Sequence, residues 1–486
     1  MKIVNILLIF ICFNYLNLCF LNILQKQYYN LKRLFIYLMQ NKYLQYEIVI
    51  NVFILLTIFL KIKIISFILA FCFYFFIFKD KLIKFKLTKR VIRNILVFNI
   101  IIPFLFMFNF YEATLMFYAF FIFSFSLSIL IEKMIQNKYI KKAKNKLKTI
   151  KPLIIVITGS YGKTTTKNFI YEIINKDYRV CTTKKSYNTL NGILMTINND
   201  LKPFHEILIL EIGLDTRNGI NKFKKIIDAN IGIVTKIGKQ HLSTFKSFKN
   251  IINEKNKLFD LVKENGYAIL NIDDKNINNT NLKVINKTIS TNQMANYYID
   301  KIEYNELETK FSLHIGMKEY KCSTFLHGTH NLSNLLLSIA VADILNINHF
   351  HIIQKIASLK NVEHRLSYEK KNNWLIIDDS YNSNYEGFLS SCDLLSRMNN
   401  YKILISPGLI ESTLTNKEKD IMYKKINISC DLFCIIEKND FFKDYPFENQ
   451  KRFTNFKDCM EYLNKNYYET NSSVLIENDL PDIFIK

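Results

Sequence analysis

The apolar positions of the chain follow two different patterns, and the change between them falls near residue 150. Before that point apolar residues form long runs, and about twenty such residues in a helix are enough to cross the hydrocarbon core of a bilayer. After it, short apolar runs of strand length alternate with helical stretches, which is typical of an α/β domain with a mostly parallel sheet. The sequence therefore predicts transmembrane helices followed by α/β domains.

Five apolar runs are candidate membrane crossings: residues 3–24, 44–60, 64–78, 95–110 and 113–131. The first lacks the basic start and the cleavage site of a signal peptide, so we interpret it as a retained anchor. Basic clusters at 25–33, 79–93 and 133–151 belong in the cytoplasm by the positive-inside rule. Five crossings with the N-terminus outside satisfy all three clusters. Three crossings remain open, because the second and third runs are short enough for a re-entrant or interfacial hairpin.

The α/β part begins with an apolar run that breaks into a glycine loop, residues 154–166, with the sequence IIVITGSYGKTTT. The backbone N–H groups of such a loop and of the next helix bind phosphate, and a lysine neutralises its charge. Lys163 has that position, and Thr164 is predicted to ligate magnesium. The strict P-loop pattern requires glycine where this chain has Ile157. The alternative is an ordinary strand-to-helix turn.

Polar residues follow two further apolar runs. The run 206–213 carries Glu211 near its end, and the run 231–238 leads to His241. Ligands gather at the carboxyl edge of a doubly wound sheet, so Glu211 is a candidate magnesium ligand, directly or through water. His241 is a candidate site residue beside it. The alternatives are a carboxylate that faces solvent and a structural histidine.

Composition and charge change this picture little. The net charge of +23 is typical of nucleic-acid-binding proteins, but lysine is enriched together with asparagine, isoleucine, phenylalanine and tyrosine, as in an AT-rich genome. Much of the basic excess lies beside apolar runs, so we interpret it as a topology signal and expect no nucleic-acid partner. The nine cysteines lack the spacing of a zinc finger and are expected to be reduced thiols.

A series of motifs resembles the Mur ligase family. In chain order they are TGSYGKTT at 158–165, YNT at 187–189, EIG at 211–213, His241, GTHN at 328–331, HRL at 364–366 and DDSYNSN at 378–384. The resemblance implies a central ATP-binding P-loop domain at 151–361 and a C-terminal Rossmann-like α/β domain at 362–486, after a membrane region at 1–150. The last motif and the segment SPGLIE at 406–411 look most like the branch that adds D-alanyl-D-alanine.

The resemblance implies an amide-forming reaction of peptidoglycan precursor synthesis. The γ-phosphate of ATP passes to a substrate carboxylate, and an amine attacks the resulting acyl phosphate. The positions implied for the nucleotide are Gly159, Ser160, Tyr161, Gly162, Lys163, Thr164, Thr165, Asn331, Arg365 and Asp379. Thr164 and Glu211 are implied to hold one Mg²⁺, and His241 helps to hold a second.

The same resemblance implies catalytic and substrate-binding positions. The catalytic positions are Lys163, His241 and Lys255, and the substrate positions are Asn188, Thr189, Tyr381, Asn382, Asn384 and Glu411. Lys255 matches a lysine that becomes carbamylated. Lys257 is the alternative register for that lysine.

The membrane segments stand where relatives that use soluble precursors carry a domain for the uridine nucleotide. The expected substrates are therefore D-alanyl-D-alanine and either a UDP-linked muramoyl tripeptide or a lipid-linked wall precursor. The expected location is the bacterial cytoplasmic membrane, crossed several times, with the catalytic domains in the cytoplasm. A folate-polyglutamylating ligase is the alternative enzyme, and a membrane scaffold or transporter with a degenerate ATPase domain is the alternative without catalysis.

Overall fold

The computed structural model describes most of the chain after residue 86. The described residues are 10, 14, 17–18, 20–25, 87–107, 110–184, 187–240, 242–281, 283–305, 308–361, 364–380, 385–409, 414–437, 441–442 and 447–477. They belong to two compact units, residues 1–139 and 140–486. The predicted crossings at 44–60 and 64–78 lie outside the described residues, as does most of the run 3–24.

Two helices precede the first strand. Helix α1, Lys89–Ile101, is capped by the Thr88 hydroxyl, which accepts a hydrogen bond from the Val91 amide, and it continues as the 3₁₀ turn Ile102–Met107. Helix α2, Phe110–Ile150, is 41 residues long. It does not end at residue 131, where the fifth predicted crossing does, because no glycine or proline interrupts residues 110–150.

A single helical stretch among the described residues, Ala119–Ile150, has the length and apolar composition needed to cross a membrane. The core helix of a soluble protein passes the same test. The five predicted crossings, and the three-crossing alternative, therefore stay predictions.

Within the described part of the second unit, nine strands form the first sheet, in the spatial order β2-β3-β1-β4-β5-β6-β7-β8-β9. The strands are β1 Leu153–Thr158, β2 Val180–Thr182, β3 Ile207–Glu211, β4 Ala229–Val234, β5 Val262–Asn271, β6 Ile285–Ser290, β7 Tyr297–Tyr304, β8 Thr309–Ile315 and β9 Lys318–Thr324. Strands β1 to β7 pair in parallel, and β8 and β9 add an antiparallel edge. The mostly parallel sheet that the sequence predicts is confirmed.

Helices cover both faces of this sheet. They are α3 Lys163–Ile174, α4 Leu190–Met195, α5 Asn221–Lys224, α6 Leu242–Phe245, α7 Phe248–Asn256, α8 Thr329–Ile344 and α9 His349–Ser358. Strand β1 is apolar on both sides: Ile155 and Ile157 join one core, and Ile154 and Val156 join the other. Ile157 thus fills a core position in the strand, which explains why the strict P-loop pattern fails there.

The second sheet contains six strands in the described residues, in the order β10-β11-β15-β12-β13-β14. They are β10 Ser367–Lys371, β11 Trp374–Asp379, β12 Tyr401–Ser406, β13 Leu432–Ile436, β14 Gln450–Phe453 and β15 Ser472–Glu477, with helices α10 Tyr385–Ser396, α11 Asn416–Ser429 and α12 Phe456–Tyr467. Only β10 pairs antiparallel. The α/β character of this part is confirmed, whereas the predicted domain boundaries at 150 and 361 stay predictions.

Candidate nucleotide and metal site

The loop between β1 and α3 requires glycine at two positions. Gly159 has φ 152° and Gly162 has φ 81°, both in the region that favours glycine. A Cβ atom at Gly159 would lie 2.0 Å from Thr235 Oγ1, and one at Gly162 would lie 2.5 Å from Asn334 Oδ1. The loop is therefore pressed against the end of β4 on one side and against α8 on the other.

The amides at the start of the loop are engaged by the segment after β4. Ser160 N donates to Lys236 O at 2.6 Å, and Tyr161 N donates to the same oxygen at 3.5 Å. Ser160 Oγ donates to Gly238 O at 3.0 Å. Ser160 and Tyr161 thus hold the loop to the sheet, and the predicted contact of the loop amides with phosphate stays a prediction.

The amides available to an anion lie in the first turn of α3. Its first helical hydrogen bond is Thr166 N to Gly162 O, at 2.8 Å. Lys163, Thr164 and Thr165 come before Thr166 in this turn, and the first N–H groups of a helix have no carbonyl acceptor within it. Their N–H groups therefore point out of the end of the helix. This end carries a partial positive charge and suits phosphate.

Lys163 bends back over the loop. Its Nζ donates to Gly159 O at 2.7 Å and to Ser160 O at 3.0 Å. Burial lowers the pKa of Lys163 to about 8; the nearby Glu211 carboxylate opposes this change, and the positive charge of Arg365 adds to it. The ammonium group is thus poised at the loop with a second cation close by.

Glu211 ends β3 with its side chain almost fully buried, 1% exposed. Thr164 Oγ1 donates to Glu211 Oε2 at 2.9 Å, and Asn188 Nδ2 donates to Oε1 at 3.3 Å. Lys167 Nζ lies 3.3 Å from Oε2. A hydroxyl and a carboxylate are hard oxygen ligands of the kind Mg²⁺ prefers, so Thr164 and Glu211 fit a magnesium ion.

Lys167 is a site residue that the sequence analysis missed. A lysine in a helix interior is common, and its meaning depends on which strand end lies opposite. Its spacing of four residues from Lys163 was the available signal, because such residues share one face of a helix.

Two predicted substrate residues have structural contacts here. Asn188 contacts Glu211 through its side chain, and its carbonyl accepts the Gly213 amide at 2.7 Å. Thr189 caps helix α4, where its hydroxyl accepts the Gly192 amide at 3.2 Å. Their substrate roles stay predictions.

Lys255 is buried, 3% exposed, and its Nζ donates to Leu214 O at 2.8 Å. Burial, followed by the positive charge of Lys163, holds the pKa of Lys255 well below its ordinary value. Lys257 instead has a 41% exposed side chain that pairs with Glu254 at 3.3 Å. Glu254, in the same helix α7, is buried as well.

Helix α8 brings two asparagines towards the loop side of the sheet. Asn331 Nδ2 donates to His327 O at 3.0 Å. Asn334 Oδ1 accepts the Thr166 hydroxyl at 3.1 Å, which ties α8 to α3. The nucleotide-base role of Asn331 stays a prediction.

Two predicted nucleotide residues come from the part of the chain that forms the second sheet. Arg365 lies close enough for its charge to lower the pKa of Lys163. Asp379 ends β11, where Oδ2 accepts Ser391 Oγ at 2.9 Å and Oδ1 accepts Leu366 N at 3.2 Å. Desolvation raises the pKa of Asp379 to about 6.

Five predicted site residues lie outside the described residues: His241, Tyr381, Asn382, Asn384 and Glu411. Their roles in catalysis, in holding the second Mg²⁺ and in binding substrate stay predictions. The residues that the structure does bring together around Glu211 are Lys163, Thr164, Lys167 and Asn188.

The fold and this cluster define a P-loop-like α/β domain whose glycine loop faces a buried carboxylate. Residues 157–342 match the family model of the Mur ligase middle domain. This part of the chain is therefore similar to the middle domain of Mur ligases.

Two relatives share the name UDP-N-acetylmuramoyl-tripeptide--D-alanyl-D-alanine ligase. The protein of Buchnera aphidicola subsp. Baizongia pistaciae is 29% identical over 56% of this chain and 59% of its own length. That of Buchnera aphidicola subsp. Acyrthosiphon pisum is 28% identical over 68% of this chain and 74% of its own length. The chain thus spans about three fifths of the first relative.

A solved structure has the same fold. The MurF ligase of Thermotoga maritima, in complex with ADP, superposes with a TM-score of 0.64 and 22% identity, covering 71% of this chain and 80% of that one. This likeness supports the mixed α/β fold.

Proposed function

We propose that this protein is an ATP-dependent ligase that joins D-alanyl-D-alanine to a muramoyl tripeptide through an amide bond. The observation that carries the proposal is the contact of Thr164 with buried Glu211 beside Lys163, at the N-terminus of α3. The choice of substrates follows the names of the two Buchnera relatives.

In this proposal the chain binds ATP through its phosphates. The first-turn amides of α3 and the Lys163 ammonium bind the β and γ phosphates, and Arg365 adds a second positive charge. Thr164 and Glu211 hold Mg²⁺, which neutralises charge that develops on the transferred phosphoryl group. Asn331 contacts the base and Asp379 the ribose. Catalysis then rests on positioning and on fixed charge.

The reaction has two steps. An oxygen of the tripeptide carboxylate attacks the γ-phosphorus, and ADP leaves with the electrons of the broken P–O bond. The amino group of D-alanyl-D-alanine then attacks the acyl carbon, inorganic phosphate leaves, and the amine loses a proton. Asn188, Thr189, Tyr381, Asn382, Asn384 and Glu411 are the proposed substrate contacts.

Lys255 is the proposed carbamylated residue. Only a neutral amine attacks carbon dioxide, and the lowered pKa of Lys255 increases the share of that form. Loss of a proton after the attack leaves a carbamate anion, which replaces a cation by an oxygen ligand. With His241 this anion is proposed to hold a second Mg²⁺. A ¹³C-bicarbonate NMR signal that persists in Lys257→Met and is absent in Lys255→Met tests the assignment.

We also propose that the protein is anchored in the cytoplasmic membrane with its catalytic part in the cytoplasm. Helix α2 exposes Ile122, Phe123, Leu127 and Leu130. The lysines of residues 133–151 follow this apolar segment, as the positive-inside rule requires of a cytoplasmic end. This arrangement favours a lipid-linked wall precursor as the second candidate acceptor. Membrane fractions washed with alkaline carbonate should retain the protein, whereas release by carbonate contradicts the anchor.

The enzymatic proposal is tested with full-length protein in detergent, ATP and Mg²⁺. UDP-muramoyl tripeptide plus D-alanyl-D-alanine should release phosphate and yield a product of the summed mass less water. Release only with a lipid-linked precursor selects the second acceptor, and release only with folate and glutamate selects the polyglutamylating alternative. Absence of phosphate release with all acceptors, or full function of Lys163→Ala in cells, contradicts the ligase and favours a scaffold.

A further inference from the structure

Lys167 links three elements beneath the proposed metal site. Its side chain is 3% exposed, and its Nζ donates to Thr183 O at 2.9 Å and lies 3.3 Å from Glu211 Oε2. The Thr183 hydroxyl in turn accepts the Glu211 amide at 3.3 Å. Helix α3, the residue after β2 and the end of β3 thus meet at one ammonium group.

The ammonium group and a metal ion need the same carboxylate oxygen. Glu211 Oε2 accepts the Thr164 hydroxyl at 2.9 Å and pairs with Lys167 at 3.3 Å. Mg²⁺ binds oxygen at about 2.0–2.1 Å. An ion bound to Glu211 Oε2 therefore takes a lone pair that the Thr164 hydroxyl or the Lys167 ammonium group uses in this structure. A divalent ion at that oxygen also repels a lysine beside it.

Glu211 needs a positive partner whenever no metal is bound. An ionised carboxylate in the protein interior carries a large desolvation cost unless a charge compensates it. Asn188 and Thr164 supply neutral hydrogen bonds, whereas Lys167 supplies the full charge at 3.3 Å. The contact with Lys167 orients the carboxylate before the metal arrives.

We propose that Lys167 is a built-in counter-ion of Glu211, which occupies the carboxylate in the metal-free protein and yields it when Mg²⁺ arrives with the nucleotide. The inference rests on the proposed ATP-dependent function, and it makes Lys167 a positioning residue. Its consequence is regulatory: free Mg²⁺ must compete with a resident cation, so the metal binds well only as the nucleotide complex, whose phosphates supply further ligands.

The test measures metal binding without nucleotide or turnover. Mn²⁺, a paramagnetic substitute for Mg²⁺, is titrated into full-length protein in detergent and followed by electron paramagnetic resonance. Lys167→Gln keeps a donor for Thr183 and Glu211 but removes the charge, so it should bind Mn²⁺ at least about tenfold more tightly than the unmodified protein. Lys167→Arg keeps the charge and should match the unmodified protein.

A matched control separates this effect from a general loss of positive charge. Lys146 also donates to a backbone carbonyl, Asn198 O at 2.9 Å, and it does not touch Glu211. Lys146→Gln should leave Mn²⁺ binding unchanged. The double variant Lys167→Gln/Glu211→Gln should lose the tight Mn²⁺ site, which locates the ion at this carboxylate.

Every outcome decides the inference. Equal Mn²⁺ affinity in Lys167→Gln and the unmodified protein, or tight binding that survives in the double variant, overturns it. If Lys167→Gln folds only with Mn²⁺ present, the counter-ion role is supported; if it does not fold at all, Lys167→Met takes its place with the same expectation. Because no acceptor or ATP is used, failure of the proposed ligase activity leaves these results interpretable.

Discussion

Glu211 and Asp379 have the same place in the two sheets but different surroundings. Each is the last residue of a parallel strand, β3 in the first sheet and β11 in the second. Glu211 has the Lys167 ammonium 3.3 Å away and Lys163 close by. Asp379 accepts hydrogen bonds from a hydroxyl and an amide, and its strand register sets it opposite another carboxylate, Glu477.

The difference shows that strand topology sets the position of a carboxylate, whereas the residues around it set its chemistry. A cation beside a buried carboxylate favours the ionised form, which a metal ligand requires. Desolvation favours the protonated form instead: it raises the pKa of Asp379 to about 6, although the hydrogen bonds from Ser391 and Leu366 and the charge of Arg365 oppose this change. Such a group suits hydrogen bonding to a neutral hydroxyl better than binding a metal.

The largest expected effect comes from breaking the buried pair at Glu211. Glu211→Gln leaves Lys167 buried with an uncompensated charge, which should lower the free energy of unfolding by about 3–5 kcal/mol. Loss of the proposed metal ligand should also lower phosphate release by about 10²–10³-fold. Urea denaturation followed by circular dichroism and the phosphate assay measure the two effects. A change below about 1 kcal/mol would show that Lys167 is not the charge partner.

The second expected effect is the pH dependence that Asp379 confers. Its pKa is about 6 in the folded protein against an ordinary value of 3.8, so between these values only the folded state retains the proton. Protonated Asp379 therefore adds at most about 3 kcal/mol to the free energy of unfolding. This stabilisation is present at pH 4 and is lost as the pH rises through 6. The stability of the unmodified protein relative to Asp379→Asn should fall over that range.

Trp374 gives a local probe for this measurement. It is the only tryptophan in the sequence and lies on the same strand, β11, as Asp379. Its fluorescence in urea therefore reports unfolding of the second sheet. A relative stability that rises with pH would contradict the raised pKa of Asp379.

The sequence predicts the elements better than it predicts these surroundings. The strand, glycine loop and helix around Lys163 are local, and the structure has them where their apolar pattern and glycines require. The edge position of Glu211 follows from the order of parallel strands. The pair with Lys167 does not, because it depends on how closely α3 packs on β3.

Two further features have the same physical origin. Tertiary packing buries Glu254 and Lys255 of helix α7, although most residues of that helix are polar. The amides of Ser160 and Tyr161 face Lys236 because the segment after β4 passes beside the loop. Both depend on contacts between residues far apart in the chain, which local periodicity does not encode.

A smaller effect is expected where Thr189 supports the Glu211 side. Thr189 caps α4 and directly follows Asn188, whose side chain donates to Glu211 Oε1. Thr189→Ala should lower the free energy of unfolding by about 1 kcal/mol and reduce phosphate release through a misplaced Asn188. Asn455 caps α12 in the second sheet's layer, accepting the Asp458 amide at 2.9 Å. Asn455→Ala should lower the free energy of unfolding by a similar amount without reducing phosphate release. If both variants lost phosphate release equally, the effect of Thr189→Ala would come from general destabilisation and not from a misplaced Asn188.

The smallest effect is expected where residues from the two sheet regions meet at the surface. Lys236, after β4, pairs with Glu386, in the first turn of α10, and their side chains are 43% and 63% exposed. Water and salt screen such a pair, so a double-mutant cycle with Lys236→Ala and Glu386→Ala should give a coupling of about 0.2–1 kcal/mol that shrinks in high salt. Lys167 and Glu211 should couple several times more strongly and respond little to salt, because both are buried. Equal couplings for the two pairs would mean that burial does not set the strength of the Glu211 ion pair, and the contrast between the two carboxylates would then need another cause.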